Sequence, residues 1–470
     1  MEELTILKTP GSPGNKHIHF IGIGGISMSG LAEVMLAFDY EVSGSDFKKS
    51  HITEKLVKKG VKVYPYHSED NIKDPDLVVY TAAIKENNPE LAKARKLKIP
   101  TIERCVLLGE LSKKHELPIA VSGTHGKTTT TSMLGTILME GNFDPTIHVG
   151  GELDIIGGTT RMGGSKYFLT EACEYNEGFL NMNPYLGVIL NIEEEHPDFF
   201  KNIEEVKNTY LKFASQITGK GYLIACLDDQ NIASFLDELS CQVITYSLES
   251  PNADWTAKDI KFDEEGCAHF NLVKNNRVLT EIKLNVPGLH NVSNSLASMA
   301  ASYALGCDLE DIRRGIYKFS GAKRRLEIKG VIDDIKIIDD YAHHPSEIKA
   351  TLRAARSFCN SKIWCVFQPH TFSRTKAFFK EFSQSFTDAD ITILSDIYAA
   401  REKNLGEVHS RDLSEEINSF GNQAIYISRF PSILKYLKSK AEPGDLIITM
   451  GAGDIYQVGE MFLQSKRETL

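Results

Sequence analysis

The stretch "VSGTHGKTTTTSM" (residues 121–133) decides how this chain is read. It holds Gly126, Lys127 and Thr128 in the order that ends a phosphate-binding loop. The apolar run "PIAVS" precedes it and a helical pattern through Leu138 follows. The usual G-x-x-x-x-G-K-[ST] spacing asks for a glycine at Val121, but the nearest upstream glycine is Gly123. A triphosphate needs backbone N–H donors at its oxygens and a cation at its β/γ end, and a short glycine loop feeding a helix supplies both. Gly123 and Gly126 permit close approach, Lys127 is the natural phosphate contact, and the Thr128 hydroxyl suits magnesium. A structural helix start with the same letters is the competing reading.

Working outward, "KYFLTEACEY" and "YLGVILNIEEEH" are apolar runs that end in acidic or imidazole groups. In an α/β sheet such groups stand at the carboxyl ends of strands, where ligands gather. Glu171 is therefore a metal-ligand candidate, and His196 a candidate to hold a second cation or position a phosphate. The competing view is that acidic runs are solvated and a lone histidine is structural. "AHFNLVKNNRVLTEIKLNV" reads as a hairpin turning at Asn-Asn, and "NVSNSLASMAASYALG" as a helix stopped by Gly306.

At the front, "HIHFIGIGGISMSGLAEVMLAF" passes from an apolar run through glycines into a helical pattern. Gly22 and Gly24 begin a dinucleotide fingerprint whose third glycine is replaced by Ser27. Asp46 stands about twenty residues on, where an acidic ribose ligand belongs. A dehydrogenase explains this turn but leaves the central phosphate loop unused. A domain that holds the diphosphate of a nucleotide-linked substrate explains both.

The third region has the strand-like "DDIKIIDDYAHHP", "KIWCVFQPH", "DITILSDIY", "QAIYIS" and "DLIITMGAG". Helices are expected over "SEIKATLRAARSF" and after "SRT". Length suggests about three domains, with boundaries expected at 1–106, 107–320 and 321–470. The apolar content of 42% and charged content of 25% suit a folded soluble protein, and the net charge of -10 argues against general nucleic-acid or anionic-membrane affinity. No apolar run approaches a membrane span, and "MEELTILKTPGSPGNK" has no signal core. Eight scattered cysteines show no paired C-x-x-C spacing, so neither a disulfide scaffold nor a zinc cluster is expected. A cytoplasmic protein with free thiols, either a monomer or a weak homodimer, is the plain expectation.

Taken in order, "GIGGISMSG", "SGSD", "SGTHGKTTTT", "EACEY", "NIEEEHPDFF", "PGLHNVSN", Arg324-Arg325, "DDYAHHPSEI", "FQPHTFSRT", "IYAAREK" and "MGAGDIY" resemble the Mur ligases over nearly the full length. The likeness is greatest to the branch that adds L-alanine to UDP-N-acetylmuramate. It implies an α/β architecture of three domains: a Rossmann-like domain for the UDP-sugar, a P-loop ATPase-like centre, and a Rossmann-like third domain completing the nucleotide and amino-acid sites. ATP and Mg2+ are the implied cofactors, and the G-T-x-G-K-T spacing is a family variant, so Val121 is no objection.

By the same resemblance, Gly123, Thr124, His125, Gly126, Lys127, Thr128 and Thr129 hold ATP. Thr128, Glu171 and His196 form the metal set. Asn291 lies near the adenine, and Arg325 and Asp340 contact the nucleotide. Gly22, Gly24, Gly25, Ser45 and Asp46 serve the UDP-sugar. Tyr341, His344, His370 and Arg374 surround the incoming amino acid, with the Arg374 fork suited to its carboxylate. Arg324 is read either as part of a hinge or as a solvated base. A recycling ligase that attaches a tripeptide to the same sugar nucleotide is the near rival. It would be expected to carry phenylalanine near Tyr341 and to lack "FQPHTFSRT". Ligand-driven domain closure is the implied motion.

Overall fold

The structure is a computed structural model that describes residues 16–217 and 219–467. Apart from Lys16, the polar lead read above lies outside the described residues. The described residues divide into two compact units. The first contains residues 16–193, 203–246 and 297–315; the second contains 194–202, 247–296 and 316–467.

The first unit holds a five-stranded parallel sheet in the spatial order Lys62–Tyr64, Glu41–Ser45, His17–Ile21, Leu77–Tyr80, Thr101–Glu103. By sequence this is order 3-2-1-4-5, the doubly wound pattern whose switch point lies beside the first strand. The front glycine turn joins His17–Ile21 to the helix Ile26–Ala37 at that point. Its central strands are largely buried on both faces and carry the buried polar residues His19, Ser43 and Ser45 among their apolar ones.

The same unit carries a second sheet with Leu117–Ser122 at its centre. Leu186–Ile189, Tyr222–Cys226 and Gln242–Ser247 follow in parallel on one side. Tyr167–Glu171 and Thr146–Leu153 follow in parallel on the other, and Gly158–Arg161 closes the edge antiparallel. Val121 pairs with Val188 and Glu171 inside this sheet. The position where a longer phosphate loop would place glycine is thus strand, and the loop starts two residues later.

The second unit contains the antiparallel strands Trp255–Phe262, Cys267–Lys274 and Arg277–Pro287. The Asn-Asn turn is as expected: Asn275 and Asn276 have φ of 47° and 62°, the pair of positive values a type I′ hairpin needs. The helix Leu289–Ala304 begins two residues before the expected stretch, and Gly306 follows it at φ 89°.

A six-stranded sheet completes this unit in the order Glu327–Ile332, Ile335–Asp340, Leu446–Met450, Ile363–Phe367, Ile391–Leu394, Ala424–Tyr426. Only its first pair is antiparallel. Alternate residues feed two cores. Ile338, Cys365, Phe367 and Ile448 face one, and Ile337, Trp364, Val366 and Ile447 face the other. That is the period-2 consequence of strand geometry in a sheet covered on both sides. One expectation needs correction: the helix placed after "SRT" begins at Phe372 and includes those residues, running Phe372–Ala377. All eight cysteines are free. Among the described residues, no helix is long and apolar enough to cross a membrane.

Candidate active site

The phosphate loop lies between Leu117–Ser122 and the helix Lys127–Glu140. Gly126 is the helix N-cap at φ 83°, and no side chain caps this helix start. Its first N–H groups and positive dipole end are thus left for an anion. Gly123 sits at φ 139°, and a Cβ there would lie 2.8 Å from the Leu190 Cβ, so a larger residue would push the loop off its seat. Asn191 pins the loop from the next strand end: its Oδ1 accepts from His125 N at 2.7 Å and its Nδ2 donates to His125 O at 3.2 Å. Thr124 Oγ1 accepts from Glu193 N at 2.9 Å.

Lys127 Nζ donates to Gly123 O at 2.5 Å, Thr124 O at 3.1 Å and Glu174 Oε2 at 3.0 Å. Burial opposes its charge, but Glu174 outweighs that and raises the Lys127 pKa. The ammonium is therefore fixed and permanently charged. Thr128 is buried and Thr129 half-buried on the first turn.

Glu171 ends its strand with Oε1 accepting from Gly150 N at 2.6 Å. Cβ atoms added at Gly150 and Gly151 would lie 2.8 Å from Glu171 Oε2 and 2.9 Å from Thr128 Cγ2. The glycine pair thus makes room for the Thr128 and Glu171 side chains, whose hydroxyl and carboxylate are the hard oxygen donors magnesium takes. His196 belongs to the second unit; it sits at φ 54°, with its N–H donating to Glu195 Oε1 at 3.0 Å.

In the front turn, Gly22 and Ile23 donate N–H to Ser45 O at 2.8 and 3.0 Å, and Gly25 is an N-cap without a side-chain bond. Asp46 Oδ2 accepts from Gly24 N at 2.9 Å and its Oδ1 from Lys48 N at 2.9 Å, so it braces the turn. The Ser45 hydroxyl is buried between Glu90 and His67 at 2.5 and 2.8 Å.

Ser27, in the place of the third glycine, has a use the sequence did not reveal. Arg104 NH1 donates to Ser27 Oγ at 3.0 Å, and Ser27 Oγ meets His148 Nε2 at 2.8 Å. Burial, then Arg104, lowers the His148 pKa to about 3, so the ring is neutral. The Arg104 guanidinium makes that one hydrogen bond among the described residues. Its charge also acts on Cys173, beside Glu174.

In the second unit Arg374 meets one of the other expected amino-acid residues, His370. Arg374 Nε and NH2 donate to Glu195 Oε1 at 3.1 and 2.6 Å, and its NH1 meets His370 Nδ1 at 3.1 Å. The fork expected to take a substrate carboxylate thus already holds one from this chain. Burial opposes the Glu195 charge, but Arg374 holds its carboxyl well below the usual range. His370 stacks on Tyr398 at 5.6 Å, and burial lowers its pKa to about 3.

Several other side chains hydrogen-bond or stack within the chain. His344 is the N-cap of Pro345–Phe358, accepting from Ser346 N at 3.4 Å while its ring meets Phe378 at 4.9 Å. Asp340 spends its oxygens on Leu326 N at 2.7 Å and Ala342 N at 2.8 Å, and burial raises its pKa to about 6. Asn291 donates to Pro287 O at 2.7 Å and accepts from Asn294 at 3.1 Å. Arg324 is no solvated base, since it donates to Asp339 Oδ2 at 2.9 Å, Gly451 O at 2.7 Å and Gly453 O at 3.2 Å. Tyr341 lies under Arg324 and Arg325 at 4.9 and 5.0 Å. Arg325 makes no side-chain hydrogen bond or ion pair among the described residues, which leaves its fork open.

Three family models match in succession: the Mur ligase family catalytic domain over 17–116, the Mur ligase middle domain over 121–302, and the Mur ligase glutamate ligase domain over 324–453. The chain is 59% identical over 468 residues to a UDP-N-acetylmuramate–L-alanine ligase of Acetivibrio thermocellus, spanning 99% of each. It is 49% identical over 453 residues to one of Caldanaerobacter subterraneus subsp. tengcongensis, covering 96% of this chain and 98% of the relative. Among solved structures, the UDP-N-acetylmuramate–alanine ligase of Thermotoga maritima superposes with TM-score 0.84 at 28% identity, over 97% of this chain and 100% of that one. The murein peptide ligase of Psychrobacter arcticus shares the fold, with TM-score 0.74 at 24% identity over 96% and 98%. The three-domain α/β architecture and the ATP-dependent ligase class follow from these matches, and the chain belongs to the Mur ligase family.

Proposed function

We propose that this chain joins L-alanine to the lactyl carboxylate of UDP-N-acetylmuramate, with ATP becoming ADP and phosphate. The observation that carries the reading is the full-length likeness to alanine ligases; the open phosphate loop is consistent with it. Domains 1–106, 107–320 and 321–470 are assigned to the sugar nucleotide, to ATP, and to the nucleotide and amino acid. The reading places the reaction in the cytoplasm, with no nucleic acid or integral membrane contact.

A carboxylate resists attack because charge must build on an already anionic group. Taking the γ-phosphoryl group of ATP converts it into an acyl phosphate with a good leaving group. The uncapped start at Gly126 would receive phosphate oxygens, and Lys127, charged through Glu174, would stabilise the transferring group. Magnesium, when bound, would neutralise crowded phosphate oxygens, with Thr128 and Glu171 as its holders. His196 is assigned a cation or phosphate contact. Arg325, with its open fork, is assigned to the nucleotide together with Asp340, which holds the neighbouring Leu326 N–H, and Asn291 is assigned a place near the adenine. The neutral amine of alanine then attacks the acyl carbon and releases phosphate. His370 stays neutral and gives Nδ1 to Arg374, which leaves Nε2 for the amine side.

The test is phosphate release with magnesium ATP, UDP-N-acetylmuramate and separate amino acids. Release dependent on L-alanine, with a new amide, is expected. Use of the tripeptide but not alanine would select the recycling enzyme, and nicotinamide reduction without amide a dehydrogenase. With oxygen-18 in the muramyl carboxylate, label is expected in inorganic phosphate; amide formed without that transfer would overturn the acyl-phosphate route.

A further inference from the structure

The segment joining Ile363–Phe367 to Phe372–Ala377 carries His370 and Arg374, and its backbone is strained. Thr371 has φ 67° and ψ 146°. For a β-branched residue this is a true outlier, and such a conformation persists only where its surroundings over-determine it.

The surroundings that do so come from residues 398–402. Thr371 N donates to Tyr398 O at 2.9 Å, Tyr398 N donates to Pro369 O at 2.8 Å, and the Tyr398 ring stacks on His370. Glu402 completes the grip. One of its oxygens accepts from Phe372 N at 2.6 Å and Ser373 N at 2.9 Å, while the other accepts from the Ser373 hydroxyl. A helix of six residues has little stability of its own. A carboxylate on its first N–H groups satisfies the donors and complements the dipole. Arg374 follows one residue later and divides its fork between Glu195 and His370, so the helix start sets where those groups point.

We infer that Glu402 is a positioning residue: it holds residues 370–374 in a strained conformation that seats Arg374 on Glu195 and aims His370 at the amine substrate, without touching that substrate itself. This rests on the reaction proposed above.

The experiment is steady-state kinetics of Glu402→Ala and Glu402→Gln in the full chain, varying each substrate in turn. Glu402→Ala is expected to raise the alanine KM about tenfold or more, with the ATP and sugar-nucleotide KM values within about twofold of wild type. Glu402→Gln keeps an acceptor oxygen and is expected to recover part of the loss. If the alanine variant does not fold, the glutamine variant decides, with an alanine-specific KM rise of about threefold or more expected. An alanine KM unchanged in both variants, or three KM values moving together, would overturn the inference. A wild-type enzyme that releases no phosphate with alanine would instead remove the assigned reaction, so the two failures are distinguishable.

Discussion

In the first unit, the helices Ile26–Ala37 and Lys127–Glu140 begin at Gly25 and Gly126 with no side-chain cap. In the second, Pro345–Phe358 and Phe372–Ala377 begin under His344 and Thr371, with Glu347 and Glu402 adding carboxylates. An uncapped start offers N–H groups and a positive dipole end to an anion; a capped one has already spent them. The glycine turns differ by degree. Each gives one N–H to a side chain, Gly24 to Asp46 at 2.9 Å and Asp454 to Gln368 at 3.0 Å, but Gly451 and Gly453 also give their carbonyls to Arg324. The lesson is that a glycine-rich turn after a strand is a phosphate receptor only if the chain's own side chains leave it open.

The largest test of this contrast is acid. His343 and His370 have pKa values lowered by burial to about 4 and about 3, against about 6.5 in an unfolded chain. Below pH 6.5 the unfolded state binds more protons, so stability is fully present above that pH and falls as pH falls. Each ring contributes about 1.4 kcal/mol per pH unit, or about 5 kcal/mol for the pair between pH 6.5 and 4.5. Asp340, raised to about 6 by burial, acts in the opposite sense over part of this window, so urea midpoints at stepped pH should show the histidine slope less that offset, and His343→Gln should lessen it. A flat profile would break the picture of closed, neutral rings.

Next is the buried pair. Arg374→Ala strands the Glu195 carboxylate and should cost about 3–5 kcal/mol, read as a lowered urea midpoint. Removing Glu195 as well should restore most of it; a double mutant as unstable as the single would show that the fork does not hold Glu195.

On the open side, Lys127→Ala should slow alanine-dependent phosphate release about 100- to 1,000-fold while leaving sugar-nucleotide binding within a few fold. Equal loss of both would merge functions the comparison keeps apart.

The smallest expected effect sharpens the front turn. Arg104→Ala should weaken sugar-nucleotide binding about 10- to 100-fold by calorimetry, with lysine recovering part. Unchanged affinity would make Arg104 only a clamp on Ser27.

Much of this was legible in the letters. The apolar runs at 117–122, 186–189 and 363–367 are legible as strands because residues buried on both faces are mostly apolar. The Asn-Asn hairpin and the Gly126 helix start were legible because few residues tolerate positive φ. Arg104 was not, because its partner Ser27 lies 77 residues away and no local spacing links them. Nor was Glu402, whose value depends on facing a helix start 30 residues earlier.

The sequence by itself determined the strands, the turns, the order of motifs and the ligase family, since these follow from periodicity, backbone tolerance and the identity of the letters. Only the tertiary structure decided which functional-looking groups are free. Arg325 and Arg374 are the same residue type, yet one fork is open and the other is closed on Glu195, 179 residues away in sequence. Hydrogen-bonding capacity is finite, and who consumes it is fixed by neighbours that folding, not spacing, brings into contact.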